Sequence, residues 1–146
     1  MNVEEYLQQA RLLDQRINFN LRRMQEIKNG LFSPRTPRLS ADKVQTSPDG
    51  NAPFVQALLR VEEMQERINQ ETDLLVELRQ QISEMIHRLP SEKQQMLLLY
   101  RYVEERSWRE IGDLLGAGKS TVKRWHTDAL AQLRLPENPI QIRRVW

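Results

Sequence analysis

Two short amphipathic segments meeting at Gly116-Ala117-Gly118 restrict this chain more than any other feature. The first, Ser107 to Leu115, opens with an S-x-x-E pattern in which Ser107 and Glu110 predict a capping box. The glycines let the chain reverse through backbone conformations that cost most other residues. From about Lys119 a second helix is expected, with Val122, Ala129, Leu130 and Leu133 on one apolar stripe. Helical periodicity then puts Lys119, Ser120, Lys123, Arg124 and Thr127 on the opposite face. One side is sticky and the other is basic.

The residues upstream complete a plan of three helices over about 91–134. Arg88-Leu89-Pro90 closes one helix, and Ser91 with Gln94 predicts a second capping box. Met96, Leu97, Leu99, Tyr100 and Val103 supply a supporting helix that ends at the charged corner Glu104-Glu105-Arg106. Such a unit is a helix-turn-helix, and a core of that size is marginal alone. A helix pinned by its apolar side can lay its basic, hydroxylated side in a major groove of duplex DNA. Lys119, Ser120, Lys123 and Arg124 are then candidate readers of base edges or phosphates, Arg and Lys being suited to guanine O6 and N7. Thr121 and Thr127 suit phosphate, and Arg109 on the first helix can reach one. Trp108 and Trp125 fall near the apolar stripes and are read as packing groups, because duplex DNA offers no free base faces. His126 belongs at a helix–helix boundary and His87 at the surface.

The order L-P, M-L-L-L-Y-R-Y, S-W-R-E-I-G-D-L-L-G and S-T-V-K-R-W-H-x-D-A-L, between Leu89 and Leu133, resembles region 4 of the bacterial sigma-70 family. Trp125 after Lys123-Arg124 looks closer to phage regulators of the ArpU and RinA type. With its long amino-terminal helices the whole chain is similar to a family encoded by phages and prophages of low-GC Gram-positive bacteria. The resemblance implies recognition of a DNA element by the helix-turn-helix and a role in phage or prophage gene regulation. It extends to region 4 only, and the preceding segment lacks the clustered aromatics that promoter melting requires.

Those preceding residues read as helix. Tyr6, Ala10, Leu13, Ile17, Asn20, Met24 and Ile27 alternate four and three apart over about 3–29, a coiled-coil-like seam with one polar member. Gly30 is a stop signal, and residues 31–51, with three prolines and Asp49-Gly50, read as a flexible loop. Helix resumes at Pro53 and runs to Leu89, about 55 Å at about 1.5 Å per residue. Its stripe is Phe54, Leu58, Val61, Ile68, Leu75, Leu78, Ile82, Met85 and Leu89, with Glu62, Glu63, Glu66, Arg67, Glu71 and Arg79 on a solvated side. The expectation is all-α: a long helical hairpin at 1–89, a helix-turn-helix domain at 90–134 and a tail at 135–146. In the tail Arg143 and Arg144 are available to a DNA backbone, while Ile140, Ile142, Val145 and Trp146 are expected to dock rather than hang free.

Charge is divided unevenly between these parts. Residues 1–87 hold 11 Lys and Arg against 13 Asp and Glu, a balance of −2, and residues 88–146 hold 11 against 7, a balance of +4. The basic excess accompanies the helix-turn-helix, but it is small, so one copy should bind DNA weakly. A homodimer or a partner protein is therefore expected. The uncovered stripe of the second long helix would meet the DNA-binding domain or a second copy, and a homodimer would read half-sites about 34 Å apart or a multiple of this. The acidic side of that helix makes RNA polymerase a candidate partner. With no cysteine and only two histidines, disulfides, thiolate sites and zinc are not expected. No acid–base, nucleophilic or phosphate-loop constellation argues for an enzyme or a cofactor. No apolar run suits a membrane and the opening residues do not read as a signal peptide, so the expected location is the cytoplasm, on the nucleoid when bound. Two other readings share these features: a DNA-packaging subunit like a phage small terminase, and an interaction module without DNA binding.

Overall fold

The computed structural model describes residues 1–31 and 52–142. The expected loop at 31–51, apart from Leu31, and the tail residues Arg143, Arg144, Val145 and Trp146 lie outside the described residues. Five α-helices follow in order: α1 (Val3–Leu31), α2 (Ala52–His87), α3 (Glu92–Leu98), α4 (Trp108–Leu115) and α5 (Lys119–Gln132). The described residues contain no strand. The architecture is the expected one, a long helical hairpin followed by a three-helix helix-turn-helix.

The chain packs as two compact units, residues 1–14 with 73–146 and residues 15–72. In the first, Tyr6, Leu7, Ala10 and Leu13 of α1 are fully enclosed, as are Leu78, Ile82 and Ile86 of α2. The Tyr6 hydroxyl donates to Gln81 Oε1 at 2.5 Å, and Asp14 lies 3.7 Å from Arg79, so the two helices run antiparallel here. In the second unit Ile17, Met24, Val61 and Ile68 are buried together with Asn20, and Arg16 faces Glu71 at 3.8 Å. The seam read from the sequence is thus the buried side of α1 from Tyr6 to Met24, Asn20 included, while its last member Ile27 is half-buried. At the start of α2 the agreement weakens. Phe54, assigned to the apolar stripe, is exposed, and α1 passes through Gly30 to end at Leu31.

The supporting helix is not one regular helix to Val103. Helix α3 ends at Leu98, and residues Leu99–Val103 form a π-helical turn, closed by the Glu104 amide on the Leu99 carbonyl five residues back. Wide turns of this kind are rare and occur mostly as single turns within α-helices. The corner that follows puts Glu105 at φ 56°, the left-handed region that costs a residue with a side chain.

Ser91 caps α3 by accepting from the Gln94 amide at 3.3 Å. The Gln94 side-chain oxygen is buried without a partner, so the expected reciprocal half of this capping box is not formed. Beyond α5 residues 138–142 are bonded to α1 and α2, and Ile140 and Ile142 are half-buried, as expected of those two; Val145 and Trp146 lie outside the described residues.

Candidate nucleic-acid interface

The corner between α4 and α5 is built by its glycines, though not by all in the same way. Gly116 ends α4 in the left-handed conformation, φ 67° and ψ 37°. Gly118 sits at φ −72° and ψ 161°, extended backbone that any residue adopts. The glycine the sequence reading missed is Gly112, inside α4. Its carbonyl accepts the Ala117 amide at 2.9 Å, and a Cβ added to it would stand 2.6 Å from the Ala117 carbonyl oxygen. Only a bare Cα lets the turn fold back this closely. A glycine interrupting an otherwise good helix is the signal that marks such a site.

Ser107 caps α4 as expected, accepting from the Glu110 amide at 3.2 Å. The Glu110 carboxylate accepts from the Ser107 hydroxyl at 3.2 Å and pairs with Arg106 at 3.5 Å. Helix α5 is pinned by Val122, His126, Ala129 and Leu133, all buried, with Leu130 half-buried. α3, α4 and α5 pack mutually around Leu97, Leu98, Ile111 and Val122, each fully enclosed.

His126 anchors α5 by polar contacts as well. Its Nε2 is 2.6 Å from the Tyr102 hydroxyl, and the edge of Trp108 meets its ring with centroids 4.7 Å apart. Burial holds the His126 imidazole below its ordinary value, with Arg101 acting in the same direction and Glu4 against it. Burial likewise pushes the Tyr102 phenol up to about 12. Both groups are therefore neutral near pH 7, and a single proton lies in the hydrogen bond between them. The Arg101 guanidinium stacks 4.2 Å over Trp108, and Lys93 stands 4.4 Å over Trp125. Both tryptophans serve packing.

The opposite side of α5 carries the residues singled out in the sequence. Lys119, Ser120, Lys123, Arg124 and Thr127 are exposed on one helix, and Arg109 is exposed on α4. Thr121 is half-buried. Among the described residues, Lys119, Lys123 and Arg124 enter no ion pair, so their charge is uncompensated by carboxylates. Thr127 donates its hydroxyl proton to the Lys123 carbonyl at 3.1 Å. That proton must leave the helix before Thr127 can donate to a phosphate. Gly118 gives α5 no side-chain cap, which leaves the first amides of the helix without a capping side chain. The arrangement is a rigid rod with one anchored side and one cationic side.

Residues 86–135 match the family model for sigma-70, region 4, a span that includes all of α3, α4 and α5. The chain is 41% identical over 58 residues to the RNA polymerase sigma factor FliA of Salmonella typhimurium, covering 40% of this chain and 24% of that one. It is 42% identical over 57 residues to the FliA of Yersinia enterocolitica, covering 39% and 24%. The figures for FliA of Escherichia coli (strain K12) are 42% over 57 residues, with 39% and 23% covered. The chain thus spans about a quarter of the length of the curated relatives it matches. No solved structure matches.

Proposed function

We propose that this chain is a sequence-specific binder of double-stranded DNA that regulates transcription of phage or prophage genes. The observation that carries the reading is the division of α5. Val122, His126 and Ala129 are buried while Lys119, Ser120, Lys123, Arg124 and Thr127 face outward without carboxylate partners. A helix held this way can enter a major groove with its reading face fixed before the DNA arrives. Lys123 and Arg124, near the middle of α5, read base edges; Lys119, Ser120, Thr121, Thr127 and Arg109 hold phosphates and set the register.

The match to region 4 supports regulation over packaging, because the relatives are named as sigma factors. It also supports RNA polymerase as a partner. A homodimer on repeated half-sites rests on the small basic excess of the chain alone. The phage or prophage setting rests on the Lys123-Arg124-Trp125 resemblance, and with it a cytoplasmic location. In this reading residues 1–89 associate, residues 90–134 bind DNA, and the remainder is a tail.

Replacing Lys123 and Arg124 with Ala is the test, read by mobility shift on DNA fragments selected from the phage genome. The double variant is expected to lose its preference for the selected site, each base contact being worth about 1–3 kcal/mol. Its melting temperature should stay that of the parent, because both side chains are exposed. A variant that shifts the selected DNA as well as the parent does rejects this reading face.

A further inference from the structure

Two cations of the helix-turn-helix stack on its tryptophans, and they are not equivalent. Arg101 over Trp108 is half-buried, and its guanidinium donates to the Arg106 carbonyl at 3.2 Å. That cation is engaged in closing the corner before α4. Lys93 of α3 stands 4.4 Å over the Trp125 ring of α5 and is exposed. Among the described residues it donates no hydrogen bond and enters no ion pair, although Glu92 is its neighbour and Asp128 follows Trp125 by three. A ring face attracts the charge of an ammonium without taking its three N–H donors. Trp125 therefore restricts where the Lys93 ammonium sits and leaves its donors open.

The position it is held at follows from the period of α5. At about 100° per residue, His126 and Trp125 fall on opposite sides of the buried line through Val122 and Ala129. Trp108 of α4 meets His126 and Lys93 of α3 meets Trp125, so α4 borders α5 along one side and α3 along the other. The outward face with Ser120, Arg124 and Thr127 lies between those borders. Its two edges differ in charge. Lys119 and Lys123 fall toward α4, where the exposed Arg109 adjoins Trp108. The edge toward α3 is Thr121, Trp125 and Asp128, which holds no cation of its own. Lys93 is the cation on that side.

We propose that Lys93 is a phosphate contact, and that Arg109 and Lys93 brace the two sugar–phosphate backbones that border one major groove, on opposite sides of α5. The proposal rests on the reading of α5 as a recognition helix, and it gives a DNA role to α3, which that reading leaves without one. A helix lying in a major groove has a backbone on each side, and a cation on only one side would leave the other unneutralised. Lys93 positions and does not select, because a backbone phosphate carries no sequence information. Its contact with Trp125 also restricts the side chain before DNA arrives, which lowers the entropy lost on meeting a phosphate.

Fluorescence anisotropy of the full chain tests the brace on two duplexes of equal length, a fragment selected from the phage genome and an unrelated sequence. Lys93→Gln should flatten the slope of log affinity against log salt by about 0.9 on both, so a fourfold rise in salt narrows its gap to wild type by about 3.5-fold. Its preference for the selected duplex should equal that of wild type. Lys93→Arg keeps a cation over the ring and should restore the wild-type slope. Phosphate ethylation interference locates the contact: the phosphates lost in Lys93→Gln should lie across the groove from those lost in Arg109→Gln. A Lys93→Gln slope equal to that of wild type, or lost phosphates that coincide with those of Arg109→Gln, overturns the brace and leaves the reading face of α5 standing. Loss of preference for the selected duplex in Lys93→Gln also overturns it, since a phosphate contact does not discriminate. A wild type that binds neither duplex overturns the brace together with the DNA-binding reading.

Discussion

The two packed units are made of similar residues and are held together differently. Every one of the ten largest fully enclosed side chains among the described residues belongs to residues 1–14 or 73–146, from Tyr6 and Leu13 to Ile111 and Val122. The described residues of 15–72 supply none of them. Their buried members, Ile17, Asn20, Met24, Val61 and Ile68, each keep a few per cent of their surface in contact with solvent. Phe19, Leu21, Val55 and Leu59 of the same unit are well exposed. Two buried polar atoms there, Asn20 Nδ2 and Glu71 Oε2, have no hydrogen-bond partner. Two helices alone offer each other one stripe, whereas five packed elements surround a side chain. The helix-turn-helix therefore gains its rigidity from being one corner of a larger core.

Truncation at matched positions breaks or sharpens that contrast most strongly. Ile111→Ala should cost about 2–5 kcal/mol, because a fully enclosed site cannot collapse onto the lost volume. Ile17→Ala, in the thinner unit, should fall at or below the low end of that range, since solvent and neighbours can fill the gap. Equal losses in urea unfolding would show that the two regions are packed alike.

Gly112→Ala is next. Backbone must move to relieve a 2.6 Å approach, and overpacking of this kind costs about 1–3 kcal/mol. Gly118→Ala meets nothing within 4 Å and adopts extended backbone, so thermal unfolding should place it within about 0.5 kcal/mol of wild type. If the two variants melt together, the turn is looser than its geometry.

What could be read in advance was local and periodic. Apolar residues three and four apart in α1 announced its buried side, and S-x-x-E together with the glycine pair announced the turn. The outward face of α5 followed from the same periodicity. The rest depends on groups distant in the chain. Nothing near Leu99 predicts a π-helical turn, and the contact that its Tyr102 makes lies with His126, 24 residues on. Gln9 and Gln81 carry no local signal of their contacts, because their partners lie 133 and 59 residues away. Phe54 is assigned to the buried stripe because the period of an apolar pattern does not report how far a side chain is covered, and it is exposed.

Asn20→Leu carries the comparison in the opposite direction. An enclosed amide with an unpartnered Nδ2 costs more than an apolar group of similar size, so the substitution should stabilise by about 1 kcal/mol. A lone polar seam residue can also fix which helices meet and in what register. Analytical ultracentrifugation should therefore find the variant more stable and less uniform in oligomeric state. A variant less stable than the parent would mean that the Asn20 amide has a partner when the protein is free in solution.

The smallest effect concerns Glu105, at the corner leading into α4. Burial raises its carboxyl to about 7, with Asp14 acting in the same direction through a hydrogen bond and its charge, and Arg79, 3.8 Å away, and Arg11 opposing. A carboxyl whose folded value lies above its ordinary 4.5 binds its proton more tightly when folded. Its contribution is complete below about 4.5 and is lost as pH rises through about 7. His126 titrates in an overlapping window with the opposite sign, being held neutral, so that its contribution is lost as pH falls. Wild-type stability alone mixes the two slopes. The difference between wild type and Glu105→Gln isolates the carboxyl, since His126 remains in both. Urea midpoints at pH 5 and pH 8 should move apart, the variant gaining relative to wild type at the higher value. A difference that does not change with pH would mean that Glu105 is ionised in the fold throughout and that Arg79 outweighs its burial.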